Sequence, residues 1–142
     1  MKSISKIWVA RVFIGLVLLI NLQSALVFFA NPNGIAPAYE LSGVSGAVAI
    51  RGFAVLFIMW NVPYAVALFN PVRFRVSLFE AIAMQFIGLV GETLIWWTLP
   101  IEHLILRGSI LRFIIFDGAG LVAILIAAWI TKTSESQETS EV

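Results

Sequence analysis

The sequence predicts an all-α integral membrane protein, a four-helix transmembrane bundle with short loops. Of its 142 residues, 61% are hydrophobic and only 12% are charged, far less charge than a soluble domain of this length spreads over its surface. The apolar residues gather in four long runs separated by short polar breaks marked by proline or glycine. A helix needs roughly 20 residues to cross a bilayer. Four such runs therefore consume most of the chain and leave no room for a soluble catalytic domain.

The first span is expected over residues 7–30, after a short basic start, with Arg11 one turn in and Asn21, Gln23 and Ser24 further along. A basic start and an apolar run also outline a secretory signal peptide, but the small-residue positions before a cleavage site would fall on Phe28 and Ala30, and Phe28 is too large. Residues 31–43, NPNGIAPAYELSG, read as a turn-rich loop. The second span, 44–69, carries Arg51 and then Trp60, Asn61, Pro63 and Tyr64. Pro63 has no N–H to donate and crowds the carbonyl of Met59, so a kink or local loosening is expected there. Two readings of that site stay open: a kink whose freed groups are satisfied by neighbours, or a binding niche formed by Asn61 and Tyr64. Asn70 to Arg75, NPVRFR, is a tight basic connection.

The third span, 76–99, is apolar yet contains Glu80, Gln85 and Glu92. At about 100° per residue, Ala81, Gln85, Gly88 and Glu92 share one face while Ile82, Phe86 and Leu94 point elsewhere. A small, polar face is expensive against lipid, so it should turn toward partner helices or a water-filled pocket. Pro100 ends the span. Ile101 to Arg107, IEHLILR, is too short to cross and mixes charge with apolar residues, which suggests a short helix lying along the membrane surface. The fourth span, 109–130, holds Arg112 and Asp117, and places Ala119, Ala123 and Ala127 at four-residue spacing as a ridge that lets another helix approach closely. The tail, 132–142, is polar and acidic with too little apolar surface to fold, and is expected to be disordered.

The formal net charge of +1 and the scatter of basic residues point to no nucleic-acid partner. There is no cysteine and one histidine, His103, which excludes thiolate chemistry and a His-rich metal site on this chain. With four spans, the N-terminus, the second loop and the C-terminus share a side that carries Lys2, Lys6, Arg73, Arg75 and Lys132. Basic residues stay in the cytoplasm, so both termini are expected there.

Within the spans Arg11, Arg51 and Arg112 balance Glu80, Glu92 and Asp117. Each costs about 2.5 to 3.5 kcal/mol at mid-membrane on insertion scales, and matched depth suggests that Arg51 pairs with Glu92, with Arg112 and Asp117 completing the cluster. The candidate site is Arg51, Glu92, Arg112 and Asp117, joined by Gln85, Asn61 and Tyr64. It reads in three ways: an ion-pair network that fixes helix register, a proton path through Glu92 or Asp117, or a pocket for an amphipathic or anionic molecule such as a lipid headgroup or quinone, gripped by Arg51 and Arg112. Glu102 and His103 form a polar pair at the outer mouth, either a proton shuttle or simply solvated.

A first span ending before a proline-marked loop, then AYELSG at Ala38 to Gly43, RGFAVLF at Arg51 to Phe57 and NPVRFR at Asn70 to Arg75, resembles the DoxX-like group of small four-helix bacterial membrane proteins over the first half of the chain. The resemblance implies a four-helix integral membrane protein, in a group where some members have quinone-linked or redox accessory roles, and it transfers no catalytic residue. The function expected is a non-enzymatic accessory or interaction subunit, with a lipid- or quinone-binding protein or a proton-coupled transporter as the alternative. No nucleophile–base set, metal site or cofactor fingerprint stands in the sequence, so no catalytic residue, metal or cofactor is expected. The partners expected are membrane lipid and another membrane protein or a second copy of the chain.

Overall fold

The computed structural model describes residues 2–139 in backbone and residues 5–132 in side-chain detail. The described residues form α1 (Lys2–Ala30), a one-turn α2 (Pro32–Ile35), a 3-10 turn (Ala36–Tyr39), α3 (Gly43–Trp60), α4 (Val62–Phe69), α5 (Arg75–Thr98) and α6 (Leu104–Thr139). Four segments, Ser5–Ala30, Gly43–Phe69, Arg75–Thr98 and Leu104–Lys132, are long and apolar enough to cross a membrane. They match the four expected spans.

The helices pack around three stacked layers. At the end holding the chain termini, Ala10, Ile14, Ala67, Leu78 and Ala127 form one buried cluster. Val17, Leu18, Tyr64, Ala81 and Ile124 make the middle layer. Phe28, Ala36, Ile50 and Ala54 close the opposite end, where the first and third loops lie. Helix α6 packs between α1 and α5, and α4 closes the ring against both α1 and α5. Helix α3 lies against α1 and makes no comparable approach to α5 or α6.

That divergence begins at the proline. The second span breaks in two: α3 ends at Trp60, Asn61 is a turn, and Pro63 sits in the first turn of α4. Pro63 supplies no N–H and its ring crowds the preceding turn. The Asn61 side chain ties the turn to α1: its Nδ2 donates to the Phe57 carbonyl at 2.6 Å, and its Oδ1 accepts from Asn21 Nδ2 of α1 at 3.1 Å. The expected loosening is thus a one-residue interruption at Asn61, whose backbone N–H still reaches Phe57 O and whose carbonyl still accepts from Ala65 N, held by an amide clamp between the first and second spans.

The loops are more ordered than their turn residues suggest. Asn31 Oδ1 accepts from Gly34 N at 3.2 Å and starts α2. Glu40 adopts a left-handed conformation, φ 56°, at the end of the 3-10 turn, and its side chain meets His103 Nδ1 of the third loop at 2.5 Å. His103 therefore partners Glu40 rather than its neighbour Glu102. Asn70 Oδ1 accepts from the N–H groups of Val72 and Arg73, at 3.1 and 3.0 Å, and makes the turn of NPVRFR.

Two expectations are corrected. Ile101 to Arg107 is not a separate surface helix: Leu104 to Arg107 is the first turn of α6, and Gly108 and Ser109 do not break it. Ser109 Oγ donates back to the Ile105 carbonyl at 3.1 Å, and Arg107 turns onto α5. In the proposed alanine ridge, Ala127 is buried and Ala119 exposed; the inward stripe runs instead through Gly120, Ile124 and Ala127. The described backbone of α6 runs to Thr139. The side chains of 133–142, and residues 140–142 altogether, lie outside the described residues.

Arg107 Nη1 donates to the carbonyls of Trp96 and Leu99 at 3.1 and 2.6 Å, and its guanidinium lies 4.2 Å from the centre of the Trp96 ring. It places positive charge where the last turn of α5 leaves carbonyls unpaired. Arg107→Ala should cost about 1.5 to 3 kcal/mol, the range for hydrogen bonds to charged groups. The checks are the thermal midpoint in detergent and faster amide exchange over residues 96–104, and Arg107→Lys should recover less than half of the loss because it lacks the planar fork.

Candidate functional site

Two glycines place the polar centre of the bundle. An added Cβ on Gly88 of α5 would collide with the Asp117 carboxylate oxygen Oδ2 of α6, and one on Gly120 of α6 would meet Gln85 Nε2 of α5 at 2.8 Å. Each helix thus opens a gap where the other carries its polar side chain. Gln85 is 2% exposed. Its Nε2 donates to Asp117 Oδ1 at 2.9 Å and reaches the Asp117 carbonyl at 3.3 Å. The fully buried Tyr64 hydroxyl donates to Gln85 Oε1, with the Ala81 carbonyl oxygen a second acceptor at 3.0 Å. Tyr64, Gln85 and Asp117 form one chain of hydrogen bonds from α4 through α5 to α6.

That chain ends at a cavity of about 160 Å³ lined by polar Asn21, Ser24, Asn61 and Gln85, by Glu92 and Asp117, and by aromatic Phe57, Trp60, Phe113 and Phe116. Trp60 lies close to Gly88, its Cζ2 3.7 Å from where a Cβ would stand. Glu92 projects one helical turn from Gly88 on the same face of α5, about 6 Å along the axis. Two further cavities adjoin. One, of about 260 Å³, reaches Tyr39, Ser109 and Arg112 at the loop end. The other, of about 290 Å³, lies between α3, α5 and α6 and is lined by Phe53, Phe57, Glu92, Ile95, Ile110 and Phe113. Phe113 lines all three, within a network of rings that includes Phe28, Tyr39 and Phe57.

Of the residues the sequence singles out, Glu92, Asp117, Gln85 and Asn61 meet in the central cavity, and Tyr64 supports it from behind. The expected pair of Arg51 and Glu92 is not formed. Arg51 is exposed on α3, the helix that diverges from α5, and Glu92 Oε2 is buried with no hydrogen-bond partner. Depth along a helix matches the two residues, but their directions round the bundle do not. Arg112 is also not paired with either carboxyl: its Nη2 donates to Ser109 Oγ at 3.0 Å, one turn back on its own helix. Near the termini, Arg11 lies over the Trp8 ring at 4.3 Å, and Glu80 is exposed. The Arg–acid network therefore does not exist among the described residues.

Asn21, Ser24, Trp60 and the phenylalanines are members that sequence reasoning did not assign to the site. A polar residue inside an apolar run was a signal for the first two. The rings carried none, because phenylalanine is ordinary in a spanning helix. Tyr39 borders both outer cavities, and burial, offset in part by Arg112 and reinforced by Glu92, pushes its hydroxyl up to about 12. It stays a neutral donor at the mouth.

Gly88→Ala should drive the Asp117 carboxylate off Gln85 and lower stability by about 1 to 3 kcal/mol, the usual cost of overpacking. Combining it with Asp117→Ala should return much of that loss, since the truncated side chain vacates the space. Thermal midpoints of the two single variants and the double variant in one detergent test this; a Gly88→Ala protein as stable as the parent would contradict the packing. No protein-family model, curated protein or solved structure matches the chain.

Proposed function

We propose that the chain is an integral membrane protein, with both termini in the cytoplasm of a bacterial inner membrane, that takes a small membrane-borne molecule into the aromatic-walled cavity between α1, α3, α5 and α6. The observation that carries this is the gap left where α3 diverges from α5 and α6. The cavity in that gap shares Phe57, Glu92 and Phe113 with the central one, and Phe53 and Ile95 in its wall are 40% and 52% exposed. An apolar pocket with a few convergent polar groups is the usual form of a ligand site.

The outward apolar surface supports membrane insertion. Leu19, Leu26, Phe69, Trp97 and Leu104 are each more than three-fifths exposed, and exposed apolar area on this scale needs a lipid or protein cover. Toward the termini the cavity is closed by the apolar layer of Ala10, Ile14, Ala67, Leu78 and Ala127. The hydrogen-bond chain behind the cavity stops at Tyr64 and the Ala81 carbonyl. Among the described residues no hydrogen-bonded row of polar groups continues through that layer, which favours binding over conduction across the bundle.

Two measurements test the reading. In phosphatidylcholine vesicles, a neutral trifluoromethyl-phenyl-diazirine should on photolysis label Phe53, Phe57, Trp60 and Phe113 above the lipid-facing residues of α1, and saturably; labelling spread evenly over the outer faces would overturn the pocket. Because the chain has no cysteine, single-cysteine variants report topology cleanly. A membrane-impermeant maleimide on intact cells should modify Asn33→Cys and leave Arg73→Cys untouched, and the reverse pattern would invert the assignment.

A further inference from the structure

The central cavity is short of positive charge. Glu92 and Asp117 both line it, and among the described residues no basic side chain does. Each amide places one of its N–H donors on the protein: Gln85 Nε2 onto Asp117, Asn61 Nδ2 onto Phe57 O and Asn21 Nδ2 onto Asn61 Oδ1. Ser24 spends its proton on the Ile20 carbonyl at 3.0 Å, leaving only lone pairs toward the cavity. Glu92 Oε2 is buried and has no hydrogen-bond partner among the described residues. A buried carboxyl oxygen without a partner is costly to leave so.

The walls have the matching character. Phe57, Trp60, Phe113 and Phe116 surround the carboxyls, and ring faces attract organic cations, Trp most strongly. Among the described residues no three His, Asp or Glu side chains converge, fewer oxygen ligands than a desolvated divalent ion takes from protein. The central volume of about 160 Å³ matches one ring or a short chain bearing a head group, given that an apolar cavity of about 150 Å³ holds benzene. Continuity with the cavity at Phe53 and Ile95 gives room for an apolar tail.

We propose that the ligand is a cationic amphiphile, an alkyl- or arylalkyl-ammonium, whose charged head lies between Glu92 and Asp117 against the Trp60 and Phe113 rings and whose tail follows the gap between α3 and α5 toward lipid. This rests on the pocket reading above. It assigns opposite roles to the acids and the arginines: Glu92 and Asp117 are the anchors, Arg51 stands outside the site, and Arg112, at the mouth of the neighbouring cavity, takes no part in holding the head.

The test is competition against the diazirine label in phosphatidylcholine vesicles, whose zwitterionic surface does not concentrate cations. Three probes share one skeleton: phenylbutylammonium, phenylbutanol and phenylbutyrate. The ammonium should displace the label at a concentration at least tenfold below the alcohol, and the carboxylate should be weakest. Glu92→Gln should raise the ammonium concentration needed at least tenfold, and Glu80→Gln, the same charge change at the other end of α5, should leave it unchanged. The three-probe series on the unaltered protein needs no variant to fold. Cavity labelling displaced equally by all three probes would overturn the cationic ligand and leave the pocket standing. Preference for the carboxylate, lost in Arg112→Gln, would overturn it in favour of an anionic ligand. Absence of cavity labelling would remove both readings.

Discussion

The break at Asn61 and Pro63 is the constraint on which the rest of the molecule depends. A continuous helix over the second span would run parallel to its neighbours and fill the bundle. Splitting it lets α4 stay packed on α1 and α5 while α3 follows α1 away from them. The interruption is pinned by Asn61, whose amide bonds the Phe57 carbonyl and is itself held by Asn21. One proline and two asparagines thus set both the angle of α3 and the gap beneath it. The aromatic rings that line the gap come from the diverging helix and from the helix it leaves.

The floor of the cavity follows a second constraint, close approach of α5 and α6. Small residues let membrane helices pack tightly, and here the glycines serve a narrower purpose. Gly88 and Gly120 make room for Asp117 and Gln85 on the opposite helix, so a polar pair sits at the helix crossing and forms the floor of the cavity. Tyr64 fixes Gln85, which fixes Asp117. The carboxylate is therefore preorganised by three helices, whereas Glu92, one turn further along α5, is held by none.

Much of this was legible in the residues and some was not, for identifiable reasons. Hydropathy depends on composition along the chain, so the four helices were readable, and the inward face of α5 followed from its angular period: Ala81 and Gln85 are buried as that period requires. The pairing of Arg51 with Glu92 failed because matched depth contains no azimuth, and α3 carries Arg51 on a face that the divergence turns outward. The ridge on α6 was misplaced because small size alone does not say which stripe faces inward: the buried one holds Ile124 as well as Gly120 and Ala127, and the partner, Gln85 against Gly120, selects it. Ile101 to Arg107 looked interfacial because its charges were counted without their partners, Glu40 for His103 and the end of α5 for Arg107. Long-range partners are what one sequence leaves out.

The two carboxyls in the cavity carry the remaining step of the argument. Each charged side chain placed deep in a spanning helix costs about 2.5 to 3.5 kcal/mol on insertion scales, and neither is compensated by an arginine. For Asp117 a hydrogen bond from Gln85 offsets part of that. For Glu92 Oε2 no hydrogen bond from the described residues does, although replacing it with an apolar residue of similar size would remove the cost at once. Sequences that specify one structure tend to satisfy every local rule except where function intervenes. An acid that no described donor meets, beside four rings, is the observation from which the cationic-ligand proposal starts: a bound positive charge would supply the compensation that the described residues do not.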